Sequence, residues 1–144
     1  VSPKNKSLAA THKEQLTMMR VTREALYAGI AAARAGNTTG DIGAAVQRVV
    51  EANKLVVVKE LGGHGVGIKL HEEPFIANWG EPHGGEKLVA GMAIAIEPIV
   101  SNGSWKIKNA PDGFGYIIKH GSLSAHFEHT IIVTDKAPLI VTEL

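Results

Sequence analysis

The chain has no cysteine among its 144 residues, which removes disulfides and any thiolate zinc site. It also lacks a dominant charge. Fifteen Lys and Arg stand against 14 Asp and Glu, a net charge of +1, and the positive residues are scattered. Neither a nucleic-acid surface nor a membrane-binding surface is therefore expected. No apolar run reaches the length of a membrane span, and no signal peptide opens the chain. An initiating methionine is absent too. The first residues read VSPKNK, as mid-protein sequence does, so a fragment or a processed chain is expected. A reducing, cytoplasmic compartment fits the missing thiols. Internal repeats and low-complexity segments are also lacking.

What is present is an ordinary globular composition, 44% hydrophobic and 20% charged, enough to bury a core in a single domain. Residues 1–10 read as a loop. THKE at Thr11 to Glu14 fits a capping box. A helix should follow to about Arg34, burying Leu16, Met19, Leu26, Tyr27 and Ile30, with Gly36 as its stop. A second helix is expected from near Thr39 to near Asn53. Asp41 sits in its first turn, and Ile42, Val46, Val49 and Val50 form its buried stripe. After Lys54 the pattern turns to short β-branched runs: LVVV at 55–58, MAIAIEPIV at 92–100, HFEHTIIVT at 126–134 and LIVT at 139–142. Two helices followed by several strands make an α+β pattern.

The chemistry gathers in three stretches. GGHGVGIKLHEEPF, residues 62–75, surrounds His64 with four glycines and places His71 seven positions on. The glycines match neither a dinucleotide fingerprint nor a phosphate-binding loop. A tight loop that presents one imidazole remains, and that suits a metal ligand or a catalytic base. In MAIAIEPIV, alternation puts Ala93, Ala95 and Glu97 on one face and the large apolar residues on the other. A carboxylate at the end of such a strand is costly unless paired or metal-bound. In SAHFEHTIIVT, His126, Glu128, Thr130 and Ile132 share a face. His64, Glu97 and Glu128 together would offer one nitrogen and two carboxylates, suited to Mn²⁺, Fe²⁺, Co²⁺ or Zn²⁺. Spacing alone permits that convergence without requiring it.

These three motifs, in this order and at separations of 33 and 31 residues from His64 to Glu97 to Glu128, resemble the type I methionine aminopeptidases. The likeness runs from about residue 11 to 142. It implies the C-terminal half of a pita-bread fold: two helices followed by a curved, mainly antiparallel sheet. It also implies a centre of two divalent metals held by two aspartates, one histidine and two glutamates. By position, His64, Glu97 and Glu128 would be the last three of these ligands. Glu97 would also serve as the acid and base, and His71 would contact the scissile amide. Leu70 and Phe114 would line the methionine pocket. The substrates implied are nascent peptide N-termini that begin with Met.

Several departures qualify the likeness. Both aspartates would lie upstream of this chain, since Asp41, Asp112 and Asp135 occupy other places. One metal rather than two is then conceivable for this chain alone, and pairing with an upstream half, or self-association, is expected. Phe114 stands where the family commonly has Trp, Leu70 where Phe is frequent, and His126 where Gln is frequent. The alternatives are an aminopeptidase P or prolidase relative, and a non-catalytic pita-bread module that binds peptides or proteins. His12, His83, His120 and His129 read as surface or structural, and Trp79 and Trp105 as packing residues.

Overall fold

The computed structural model describes residues 3–143. Helix α1 spans Pro3–Ala32 and helix α2 spans Thr39–Ala52. α1 begins well before the expected point, so most of the expected loop at 1–10 is helical, while residues 1 and 2 lie outside the described residues. Proline is tolerated in a first turn because its missing N–H has no partner there. Lys, Leu and Ala then favour the helix. Thr11 and Glu14 consequently fall inside α1, where no N-cap can form.

The buried stripe of α1 also differs from the expected one. Met18, Val21, Thr22, Ala25, Leu26 and Ile30 are buried, as is Ala33 just past the helix end, while Leu16, Met19 and Tyr27 are exposed. Small residues set this face. A Cβ on Gly29 would lie 2.8 Å from Val46 of α2, so the two helices cross closely where a larger residue could not fit. The Thr22 hydroxyl tolerates burial because it donates to the Met18 carbonyl one turn back.

α2 starts as the sequence indicates, and the structure supplies the cap. The Thr38 side chain accepts from the Asp41 N–H, and the Asp41 carboxylate accepts from the Thr38 N–H. Asp41 also accepts from the His83 N–H, which ties the 81–87 loop to the helix start. Burial opposes the charge on Asp41. The hydrogen bonds from Thr38 and His83 and the nearby His83 ring outweigh it, and its pKa falls below the usual carboxylate value. A lowered folded-state pKa means that the stabilisation is complete above the unfolded value of about 3.9 and is lost as pH falls through the folded value. Asp41→Ala should therefore cost about 1 kcal/mol at pH 7. Urea unfolding should show the gap to wild type narrowing as pH falls below about 3.9. A gap that stays constant with pH would show that the charge contributes nothing.

Among the described residues ten strands follow: β1 Val56–Val57, β2 Gly62–Gly65, β3 Glu72–Ala77, β4 Ala93–Ile96, β5 Ile99–Ser101, β6 Ile107–Asn109, β7 Tyr116–Ile118, β8 Ser124–His126, β9 His129–Ile132 and β10 Leu139–Ile140. Every pairing is antiparallel. The strands form a five-stranded sheet ordered β10-β9-β4-β2-β3, a three-stranded sheet ordered β1-β5-β8, and the β6-β7 hairpin. One face of the five-stranded sheet packs on the helices. Ile76, Ile94, Ile96, Ile131 and Val133 meet Leu26, Ile30 and Ile42 there. The opposite face is left to carry chemistry. None of the described helices is long and apolar enough to cross a membrane.

Residues 62–65 of the glycine-rich stretch form a strand rather than a loop, and a loop follows at 66–71. β2 lies between β3 and β4, and its glycines are there for closeness. A Cβ on Gly63 would sit 2.0 Å from the Ala95 carbonyl oxygen, and one on Gly65 would sit 2.1 Å from that of Glu73. The pairing with β3 shifts register between His64 and Gly65. β3 forms an edge, where its proline and paired glutamates are tolerated and discourage further pairing.

Candidate metal centre

The stretch 92–100, in which Pro98 interrupts the strand as its sequence suggests, and the stretch 126–134, expected as one strand, are each split in two. β4 and β9 belong to the five-stranded sheet, while β5 and β8 belong to the three-stranded one. The register is the same on both sides of the split: Ile96 faces His129 and Ile99 faces His126. The unpaired residues therefore stand opposite each other, Glu97 by Glu128 and Pro98 by Phe127. Pro98 has no N–H to give to a ladder. The Glu97 carbonyl instead accepts from the side-chain amide of buried Asn78 at 3.0 Å. Both glutamates thus project from the seam between the two sheets.

His64 reaches the same place from β2. It pairs with Phe75 on one side and Ala95 on the other, and Ala95 pairs with Thr130. Paired residues share a face, so His64, Phe75, Ala95 and Thr130 form a row. Glu97 and Glu128, two residues beyond Ala95 and Thr130, continue it. Ala95 is fully buried with these neighbours on either side, so it leaves no open floor of the kind its small size suggests.

Within this row one donor atom each from His64, Glu97 and Glu128 lies within 4.8 Å of the others, the one group of three among the described residues with metal-holding geometry. His64 Nδ1 is 2.8 Å from the Gly65 carbonyl. A carbonyl can only accept, so Nδ1 carries the proton and the neutral ring keeps a lone pair on Nε2. That Nε2 stands 3.6 Å from Glu97 Oε1. Two ligands about 2.1 Å from one ion are about 3–3.5 Å apart, so small adjustments would bring both onto a divalent cation. His64 and Glu97 are 13% and 16% exposed, whereas Glu128 is exposed rather than buried. A nitrogen and two carboxylates, one imidazole already oriented by a backbone carbonyl, suit a borderline or hard divalent ion.

His71 follows β2 in an exposed loop, its ring edge-on to that of His64 with centroids 4.3 Å apart. Beside both rings is a cleft of about 480 Å³, also lined by Lys69, Glu72, Glu73 and Phe75. Leu70 and Phe114 are not among its lining residues. They are 74% and 95% exposed, Phe114 in the β6-β7 turn. Phe75 was missed at the sequence level, because a stretch read as a loop gives no cross-strand partner for His64. Trp79 donates to the Lys59 carbonyl and does not line the cleft. His129 bonds Thr142 and packs edge-on against Tyr27, a structural role as expected.

His126 does join the centre. Its Nε2 is 3.3 Å from Glu97 Oε2. Its pKa is raised by the Glu97 carboxylate as hydrogen-bond acceptor, against the opposing effect of burial, with the fields of Glu97 and Glu128 adding to the rise.

The family model of metallopeptidase family M24 matches residues 6–135. A methionine aminopeptidase of Clostridium perfringens is 42% identical over 130 residues, covering 90% of this chain and 52% of that protein. The crystal structure of a methionine aminopeptidase from Rickettsia prowazekii superposes with a TM-score of 0.87 at 36% identity, covering 90% of this chain and 53% of that one. A prolidase from Pyrococcus furiosus gives a TM-score of 0.62 at 24% identity, covering 91% of this chain and 33% of that one, a likeness of fold alone. The chain spans about half the length of the methionine aminopeptidases it matches.

Proposed function

The chain belongs to metallopeptidase family M24, with the pita-bread fold of that family, and from that premise we propose that it is the metal-holding half of a methionine aminopeptidase. The observation that supports this reading is the approach of His64, Glu97 and Glu128 to within 4.8 Å across a seam between two sheets. These three would hold a divalent ion, with Mn²⁺, Fe²⁺, Co²⁺ and Zn²⁺ all compatible with the donor set. When bound, such an ion supplies Lewis acidity toward an amide carbonyl and lowers the pKa of water.

The residues of this chain do the rest. Glu97 takes the proton of the attacking water and returns it to the departing amine. His71, beside the His64 ring, donates to the amide as its carbon becomes tetrahedral. Either group within hydrogen-bond reach of the reacting atoms is worth about 10²–10⁴-fold. The cleft next to the two histidines receives the N-terminal end of the peptide, with Leu70 and Phe114 as further contacts once the chain is partnered. The two aspartates that the family likeness implies would come from an upstream half, or activity would require a second copy of this chain.

The test is methionine release from Met-Ala-Ser with Mn²⁺ or Co²⁺, by the chain alone and together with the upstream half of the Clostridium perfringens relative. Release that disappears in Glu97→Gln supports the reading. No release in either arrangement sinks it. His71→Ala should lower release by at least about 100-fold while calorimetry shows Co²⁺ binding within threefold of wild type. A loss of Co²⁺ binding in that variant would move His71 from the substrate side to the ligand set.

A further inference from the structure

We propose that His126 is a positioning residue: its ring holds one oxygen of Glu97 and so keeps the other oxygen on the His64 side, where the metal would bind. The inference rests on the metal reading above. Glu97 stands between two imidazoles, Oε1 3.6 Å from His64 Nε2 and Oε2 3.3 Å from His126 Nε2. These two are the histidines with a ring nitrogen within 4 Å of its carboxylate oxygens among the described residues. They arrive from opposite sides of the seam. His64 belongs to β2 of the five-stranded sheet, and His126 ends β8 of the three-stranded one.

The seam makes such a holder useful. Glu97 lies outside the ladder, so its backbone is anchored by the Asn78 amide rather than by a strand neighbour. Its side chain has three rotatable bonds to be fixed before either oxygen can hold a set place. His126 is paired to Ile99 just past Pro98, and from there its ring reaches back to the carboxylate. The two rings also divide their tasks. His64 is oriented by the Gly65 carbonyl with its Nε2 lone pair free, as a ligand requires. His126 can present Nε2–H to Oε2, as an outer partner of a ligand requires. His126 is 45% exposed and stands outside the group formed by His64, Glu97 and Glu128, which fits a partner of a ligand rather than a ligand.

The experiment is Co²⁺ titration of wild type, His126→Gln, His126→Ala and His126→Leu by calorimetry and visible absorption. Circular dichroism would check that each variant folds. Glutamine can still donate to Oε2, so His126→Gln should bind within about threefold of wild type. His126→Ala and His126→Leu should bind about 10–100-fold more weakly. At saturation all four should share one d–d spectrum, because the ligand set is unchanged. Equal binding by wild type and His126→Ala overturns the positioning role, as does a loss in His126→Gln as large as that in His126→Ala. A spectrum that changes in the variants also overturns it and makes His126 a ligand. Absence of Co²⁺ binding by wild type is a separate outcome, which sinks the metal reading and this inference together. In the metal-free chain, ¹⁵N-resolved imidazole spectra of Glu97→Gln should show displaced His126 ring signals. Unmoved signals overturn the contact itself.

Discussion

Gly63→Ala is expected to destabilise the chain by at least about 3 kcal/mol, the upper end of overpacking costs. The added methyl would meet the Ala95 carbonyl oxygen at 2.0 Å and the Ile76 Cβ at 3.2 Å. Those atoms belong to the strands on either side of β2. Neither can retreat without breaking its own ladder, and β4 is further held by β9. With an m-value of about 2 kcal/mol/M for a chain of this size, the urea midpoint should fall by about 1.5 M. Gly115→Ala is the control. Its new methyl would find nothing closer than 3.6 Å, so its midpoint should stay near that of wild type. A Gly63→Ala protein as stable as the control would show that β2 is not held between two partners as described.

Loss of a ligand should produce the second large effect. Three donors converge from β2 and the two seam residues, and Glu97→Gln would leave one imidazole and one exposed carboxylate. Co²⁺ affinity should fall by more than about 100-fold, beyond the loss typical of an outer partner. Thermal stability gives an independent readout, because an ion that binds only the folded chain adds about 2.7 kcal/mol at 100 times its Kd. For a chain of this length that corresponds to a rise on the order of 10 °C in Tm. Wild type should show the rise on adding Co²⁺, and Glu97→Gln should not. The same rise in both proteins would place the ion elsewhere.

Particular residues explain how much of this was legible in the sequence. α2 could be read to within a residue because its start is written locally, in Thr38 and Asp41, and its stripe is regular. His64, Glu97 and Glu128 could be nominated because each breaks an otherwise apolar or glycine-rich context. The face assignments in the strands held, since alternation is a local property: Ala95 and Glu97 do share a face with Glu128 and Thr130. β2 could not be read, because a strand chosen for the absence of side chains shows no alternation. The stripe of α1 was misjudged for a related reason. Its close packing uses Val21, Thr22, Ala25 and Gly29, and a count of large apolar residues passes over them. The division of 92–100 and 126–134 between two sheets was also out of reach, since Pro98 signals an interruption but not that its partner strand breaks at the same level. His126 became informative only when that seam placed it beside Glu97.

That common register has a consequence for what changes in length the chain can accept. β4-β9 and β5-β8 are in effect one long ribbon with two unpaired rungs, Glu97 by Glu128 and Pro98 by Phe127. One residue inserted in a single arm of those rungs would slip β5 against β8 by one place, and a slip of one turns every side chain to the opposite face. Val100, now buried, would exchange faces with its neighbours, and His126 would swing away from Glu97. The same residue inserted in both arms would keep the pairing and lengthen the gap. Insertions and deletions at the seam should therefore be tolerated only as matched pairs, one in each arm, even where individual substitutions at Pro98 or Phe127 are accepted.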